Sequence, residues 1–384
     1  MARARPLSLP LAASEGAAQM TMPADARDRL RLARTHRVGP VSYRQLVARF
    51  GSAGRALEAL PDLVRRSGGR SFRVADGDEI DGELERVFAL GGKYLFVDSD
   101  TYPSLLGELQ NAPVALIAKG DLALLQRPAI ALVGARNSSA ASCRFARQLA
   151  GELGGQGHVV VSGLARGIDT AAHQGAMPHG TIGVIASGLD IAFPPENKAL
   201  QETMGESQLI LTEYPPGTEP LARQFPHRNR IIAGLAAGTV VVEAAPRSGS
   251  LLTARMATEA GREVMAVPGH PLDPRAQGCN QLIREGATLV QSAADIIEAV
   301  SHIDARAANR FNAPPPDLFD AAMGDPDDAA RRVLTDLLGP VAVTVDELVR
   351  QSELSPAMVQ MILFELELAG RLERHAAGRV SLTG

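Results

Sequence analysis

Eight short apolar runs constrain this chain more than anything else in it. They read KYLFVD, PVALIAKG, AIALVG, HVVVSG, TIGVIAS, QLILTEY, TVVVEAA and EVMAVPG, and all fall within residues 90–300. Helical runs such as SCRFARQLAGELGGQG, TAAHQGAM and SLLTARMATEAGR separate most of them. Strands that are apolar at consecutive positions, bounded by glycine, must be covered on both faces, and the helices between them supply the cover. The pattern predicts an α/β chain with a Rossmann-like, doubly wound, mostly parallel sheet over 90–300. Ligands of such sheets sit at the carboxyl ends of the strands, where the loops gather.

The flanks are different. Residues 24–85 carry helical spacing, as in RDRLRLARTH and YRQLVARFGSAGRALEAL, and predict a small helical domain of the SAM or helix-hairpin-helix kind. Its turn RVGPVS resembles the hairpins that grip a DNA backbone. Two readings stay open: a DNA grip, or a helical cap whose arginines form a solvated face. ADGDEIDGEL reads as an acidic, exposed connection, and 305–328, rich in Pro, Ala and Asp, as a linker. Over 329–384, three helical segments and two short strands spell a winged helix. The third segment, SPAMVQMILFELELAG, has Glu365 and Glu367 but no Lys or Arg, whereas a helix that reads the major groove needs cations. Its apolar residues exceed one buried stripe, which points to a second apolar face for a partner or for the core. Arg371, Arg374 and Arg379 leave a backbone contact open to the wing.

A length of 384 residues accommodates two or three domains, and 45% hydrophobic with 21% charged residues fits a folded soluble protein. No apolar run approaches the length of a bilayer span, so no membrane partner is expected. The opening MARARPLSLPLAASEGAAQM reads as a floppy leader, its apolar patch being broken by Pro10 and closed by Glu15. Cys143 and Cys279 are isolated and read as reduced core thiols, with a cytoplasmic location following. The net charge of −4 hides a polarity. Residues 25–70 hold 11 Arg against four acidic residues, a net +7, while 301–384 hold 8 Arg against 13 acidic residues, a net −5.

The loops after the strands concentrate anion-binding groups. The first offers Gly134, Arg136, Asn137 and Ser138, and the second Ser162, Gly163, Arg166 and Gly167 ahead of a helix start. A third brings Phe193, Asn197 and Lys198, and FPHRNR brings Phe225, His227, Arg228, Asn229 and Arg230. The last has Glu243, Arg247 and Ser248-Gly249-Ser250 before a helix carrying Thr253. Glycine lets a backbone approach closely, helix N-termini attract anions, and arginine forks match phosphate. One such loop is often only a turn; five in one sheet, most with cations, point to phosphate. Individual members have blander readings: Asp169 with Thr170 as a helix cap, His173 as packed on its helix, Glu243 as an acid–base group or an anchor for Arg228 or Arg230. No GxGxxG, GxxxxGK[ST], HExxH, His/Cys cluster or serine elbow occurs. The expectation is therefore a binding site with no cofactor, metal or catalytic residue.

GARNSSAASCRFARQLA, VVVSGLARGIDTAAHQGAM, GLDIAFPPENKAL, the run from EYPPGTEPLARQFPHRNR to EVMAVPGH, and GCNQLIREGATLV resemble the DprA (Smf) family of DNA-processing proteins. The resemblance spans about residues 25–300 and is densest over 129–290. It implies a Rossmann-like core that binds single-stranded DNA, dimerises, and loads the RecA recombinase on DNA taken up in natural transformation. Carried over by position, the DNA pocket includes Arg136, Arg166, Lys198, Arg228, Asn229, Arg230 and the Ser248–Ser250 loop. Phe193 stands where the family motif more often has tyrosine, so stacking survives and a hydroxyl contact does not. Single strands need a cationic groove and stacking platforms. With 4% aromatics and no Trp, Phe193 and Phe225 are the candidate platforms. Two other classes remain: an enzyme that cleaves nucleoside monophosphates, although APRSGSLLTARMATE lacks the paired glycines of that loop, and a pure adaptor.

Overall fold

The computed structural model describes residues 25–69, 72–310, 326–375 and 378–383. The leader and most of the 305–328 linker lie outside the described residues.

Four helices come first: α1 (Ala26–Arg34), α2 (Pro40–Phe50), α3 (Ala53–Arg66) and α4 (Gly77–Ala89). The sheet region runs β1 (Lys93–Phe96), α5 (Ser104–Gly107), β2 (Ala115–Gly120), β3 (Ala129–Val133), α6 (Ala140–Gly155), β4 (Val159–Ser162), α7 (Ile168–Ala176) and β5 (Thr181–Val184). It continues α8 (Lys198–Ser207), β6 (Leu209–Thr212), α9 (Gln224–Leu235), β7 (Gly238–Val241), α10 (Gly249–Glu259), β8 (Glu263–Ala266), α11 (Gln277–Arg284), β9 (Thr288–Leu289) and α12 (Ala293–Arg310). Each of the eight apolar runs forms a strand. The two-residue β9 is a ninth, too short for any pattern.

The nine strands are ordered β1-β2-β6-β5-β4-β3-β7-β8-β9. From β6 to β9 every neighbour is parallel, and β1 and β2 extend the sheet antiparallel. This is the expected doubly wound α/β sheet. Its core alternates with the strand period: Ile130 and Leu132 pack with Leu149, Ala172 and Ile296 on one face, while Ala131 and Val133 pack with Ile231, Leu235 and Cys279 on the other. The winding reverses between β3 and β7, which are neighbours whose following strands lie on opposite sides. Their outgoing loops must part there, and a crevice opens.

The N-terminal helices close over the β1–β2 edge, where Leu30, Ile80 and Val87 share a buried cluster with Tyr94, Phe96 and Ile117. Their arginines are largely engaged inside the chain. Arg27 pairs with Asp81, Arg29 with Asp25 and Asp98, Arg34 with Glu83, Arg49 with Glu365 and Arg65 with Asp62. Arg31 and Arg44 donate to the carbonyls of Ala75 and Gly107. The net +7 therefore balances acidic groups elsewhere in the fold, and the cap reading accounts for most of it.

The C-terminal unit comprises α13 (Asp328–Asp336), β10 (Val343–Thr344), α14 (Val345–Ser352), α15 (Pro356–Leu368), β11 (Leu372–His375) and β12 (Arg379–Leu382). The strands pair as β10-β12-β11, a winged helix with one more short strand than the sequence suggested. Val359, Ile362, Leu363 and Leu366 of α15 face its own core. Phe364 and Leu368 instead join the cluster of α2 and α3 with Leu46, Leu60 and Val64. The second apolar face thus meets the N-terminal helical domain, not the sheet.

Candidate nucleic-acid interface

At the β3–β7 switch, a cleft of about 750 Å³ is lined from five directions, Ala165 and Asp169 coming from the loop after β4 and the start of α7. Gly134, Arg136 and Asn137 come from the loop after β3, and Phe225, Arg228 and Asn229 from α9. Arg247, Ser248, Gly249, Ser250 and Thr253 come from the loop after β7 and the start of α10, and Arg275 from the loop after β8. Phe225, Arg228, Asn229 and Ile232 are spaced i, i+3, i+4, i+7, so one stripe of α9 forms a wall. Arg230 falls off that stripe. It is buried and its Nη2 donates to Glu213 at 2.8 Å, away from the cleft.

The loops are held by side chains of their own. Gly134 and Gly167 sit where chain crosses chain: a Cβ on Gly134 would lie 2.5 Å from Ile168 Cγ1, and one on Gly167 2.4 Å from the Ala135 carbonyl. Gly167 also has φ +75°, a conformation that glycine adopts without strain. The fully buried Leu164, with φ +53°, has no such freedom. Its conformation is held by bonds: Asp169 accepts from the Gly163 and Ala165 amides, and Asn197 Nδ2 donates to the Leu164 carbonyl at 2.8 Å. Asp169 is thus no N-cap, because α7 starts from Gly167 and the carboxylate reaches back into the preceding loop. Thr170 likewise donates to the Ala165 carbonyl.

Beneath the cleft lies a buried polar floor. Arg228 is 4% exposed and donates to the carbonyls of Gly163 and Val184. Burial lowers its pKa to about 10, opposed by the nearby Asp169. The Asp169 carboxyl is raised by burial, again opposed by Arg228. His173 is fully buried between the Leu164 amide and the Thr181 hydroxyl, and burial pushes it down to about 3, so its ring is neutral. The packed reading of His173 holds.

Glu243, read as an acid–base group or as an anchor for Arg228 or Arg230, does something else. It accepts from the Ser139 amide at 3.0 Å and the Ser142 hydroxyl at 2.8 Å, at the N-terminus of α6. That helix end already carries an anion; the α10 end, with Ser248 as its cap, faces the cleft.

The surface charge of the cleft is cationic. Arg136, Arg247 and Arg275 are all exposed and line it, Arg275 paired with Asp273 at 3.1 Å, with the carboxylate of Asp169 on its floor. Arg136 stands over the Phe225 ring, 4.9 Å from its centroid, and Phe193 meets Phe225 at 5.6 Å. Phe193 is 41% exposed and stands beside the cleft rather than in its lining.

Other candidates lie outside the lining. Ser162 is buried and its hydroxyl donates to the Leu132 carbonyl. Gly163 contributes its backbone to the loop bonds, and Ser138 contacts Cys143 Sγ at 3.0 Å. Arg166 pairs with Glu196 and Lys198 with Glu202, both well exposed. Arg275 is not among the residues the sequence pattern singles out, although the loop after β8 stands at a strand end like the others. Arg247, in the loop after β7, has φ +68° and lines the cleft. Among the described residues no group of three or more His, Cys, Asp or Glu could hold a metal, and no helix is long and apolar enough to cross a membrane.

The fold and site define a Rossmann-like α/β protein with an arginine-lined, aromatic-edged cleft at its switch point. A family model described as DNA recombination-mediator protein A matches residues 93–301, and models of a DprA-like N-terminal HHH domain and a DprA winged helix domain match 23–85 and 313–378. The chain belongs to the DprA/Smf family. It is 47% identical to the DNA processing protein DprA of Streptococcus pneumoniae over 56% of this chain and 77% of that one. It is 38% identical to the protein Smf of Escherichia coli over 74% and 76%. The crystal structure of S. pneumoniae DprA covers 70% of this chain and 95% of its own at 38% identity and a TM-score of 0.59. A Helicobacter pylori DprA structure, titled for its single-stranded DNA binding mode, covers 55% and 97% at 29% identity and a TM-score of 0.50.

Proposed function

We propose that this protein binds single-stranded DNA in the β3–β7 cleft and, as a homodimer in the cytoplasm, delivers it to a RecA-type recombinase during DNA uptake. One observation carries the binding reading. Three exposed arginines, a helix N-terminus capped by Ser248 and an arginine-topped phenylalanine pair converge on one open cleft. Phosphates and unpaired bases are the ligand that uses all of these at once. The H. pylori relative, described for its single-stranded DNA binding mode, supports the same choice. Arg136, Asn137, Asn229, Arg247, Arg275 and the Ser248–Ser250 turn hold phosphates, and Phe225 with Phe193 stacks a base. Arg166 and Lys198 extend the track beyond the cleft.

We read the site as non-catalytic. Glu243 and Asp169 are both engaged by backbone amides and offer no free base, and the cleavage of nucleoside monophosphates has no observation in its favour. The test is anisotropy with labelled oligonucleotides against duplex of equal length, beside incubation with nucleoside monophosphates. Preferential single-strand binding with no released base is expected. Equal or tighter duplex binding would overturn the assignment, and released base would restore the enzyme reading.

A further inference from the structure

The strongest feature outside the cleft joins the two ends of the chain. Glu365 of α15 is fully buried and lies between two arginines. Arg331 of α13, in its own winged helix, donates from Nε at 2.8 Å. Arg49 of α2, 316 residues away in sequence, donates from Nη1 at 3.1 Å and Nη2 at 3.2 Å. Phe364 and Leu368 flank Glu365 and are buried with Val38, Leu60 and Val64, while Ala369 lies against the Gly69 turn. Arg371 Nη1 donates to the Ser67 carbonyl at 3.0 Å. Apolar contact, a buried charge and a backbone hydrogen bond thus meet on one face.

The geometry points to the winged helix as a protein-docking module, seated on α2 and α3 of the N-terminal helical domain by an interface that holds without the covalent connection. Glu365 makes the seating specific. A buried carboxylate tolerates only a register in which both cations reach it, whereas Phe364 and Leu368 alone would accept many positions. The C-terminal half of α15, the helix that would enter a major groove, is covered by α2 and α3 as well as by its own core. An ion pair between the arginine-rich helices and the acidic C-terminal unit, Arg49 with Glu365, lies at this face. This inference is independent of what the cleft binds.

The test uses the full chain with a protease recognition sequence placed within 313–323, cut in solution at about 10 µM and passed over a sizing column. The C-terminal fragment should co-elute with the remainder at 0.15 M and at 0.5 M salt, because a buried pair is little screened. Arg49→Glu, on the seat, and Phe364→Asp, outside the winged-helix core, should each release it, with far-UV circular dichroism of the uncut chain confirming the fold. If either substitution unfolds the chain, Arg49→Gln replaces it, with release at a lower dilution than wild type expected. Release of the wild-type fragment at either salt concentration, or its full retention in the folded variants, would overturn the proposal.

Discussion

The guanidinium of Arg228 donates to the carbonyl of Gly163, which ties α9 to the turn that follows β4. A residue read from the sequence as a DNA contact is therefore also a structural brace, and the arginines of this site divide into two kinds. Arg228 shapes the floor; Arg136, Arg247 and Arg275 face solvent.

Arg228→Ala and Arg136→Ala should consequently differ. The first removes a buried guanidinium and leaves the Gly163 and Val184 carbonyls without their donor, a loss of about 1–3 kcal/mol for each buried group left unpaired. The second removes an exposed side chain and should stay within about 0.5 kcal/mol. Thermal melting distinguishes them, and equal melting temperatures for the two variants would contradict the brace.

Salt dependence reports the exposed set. Each phosphate neutralised on a single strand contributes about −0.7 to the slope of log affinity against log salt. Arg136→Ala and Arg247→Ala should each flatten the slope by about that amount, Arg275→Ala by less because Asp273 shares its charge, and all should weaken binding to all sequences alike. Anisotropy between 50 and 200 mM salt measures this; an unchanged slope in all three would move the phosphate track elsewhere.

The paired rings make a separable contribution. Stacking is worth about 1–3 kcal/mol per base, so Phe193→Ala should lower affinity by about 1 kcal/mol or more. The salt slope should stay as it is, because no charge is lost. Phe193→Tyr should bind at least as well as the wild type. If Phe193→Ala leaves affinity intact, the exposed ring does not stack a base.

Acid should reveal His173. Its folded pKa, about 3, lies below the ordinary 6.5, so between these values the unfolded chain takes up a proton that the folded one refuses. Its stability contribution is present above pH 6.5 and falls as pH is lowered, by up to about 1.4 kcal/mol per pH unit. The raised carboxyl of Asp169 acts oppositely, favouring the folded state as it becomes protonated. Urea titrations of wild type and His173→Gln at pH 7, 6 and 5 should therefore converge as pH falls. A pH-independent gap between them would mean that His173 is not held neutral.

What the sequence determined by itself is local. Consecutive apolar residues mark β3, β4, β5, β6 and β7, the first three closed by glycine, because a strand buried on both faces needs them. Arg136 and the Ser248–Ser250 turn were legible because chemistry at strand ends follows from the fold class. The two faces of α15 were legible from its spacing. Partnership was not. Arg228 and Arg230 are two residues apart, yet helical geometry turns one to the cleft floor and the other to Glu213. Glu243 stands at a strand end like a catalytic acid, yet the neighbouring β3 brings the α6 terminus to it. The arginines of residues 25–70 resemble a DNA-binding stripe until Asp81, Glu83, Asp98 and Glu365 arrive from distant sequence to neutralise them. Periodicity reports which side of an element is buried, because burial repeats with the element's own geometry. Which charge meets which is decided only when strand order and domain docking bring remote segments together, and no local pattern carries that.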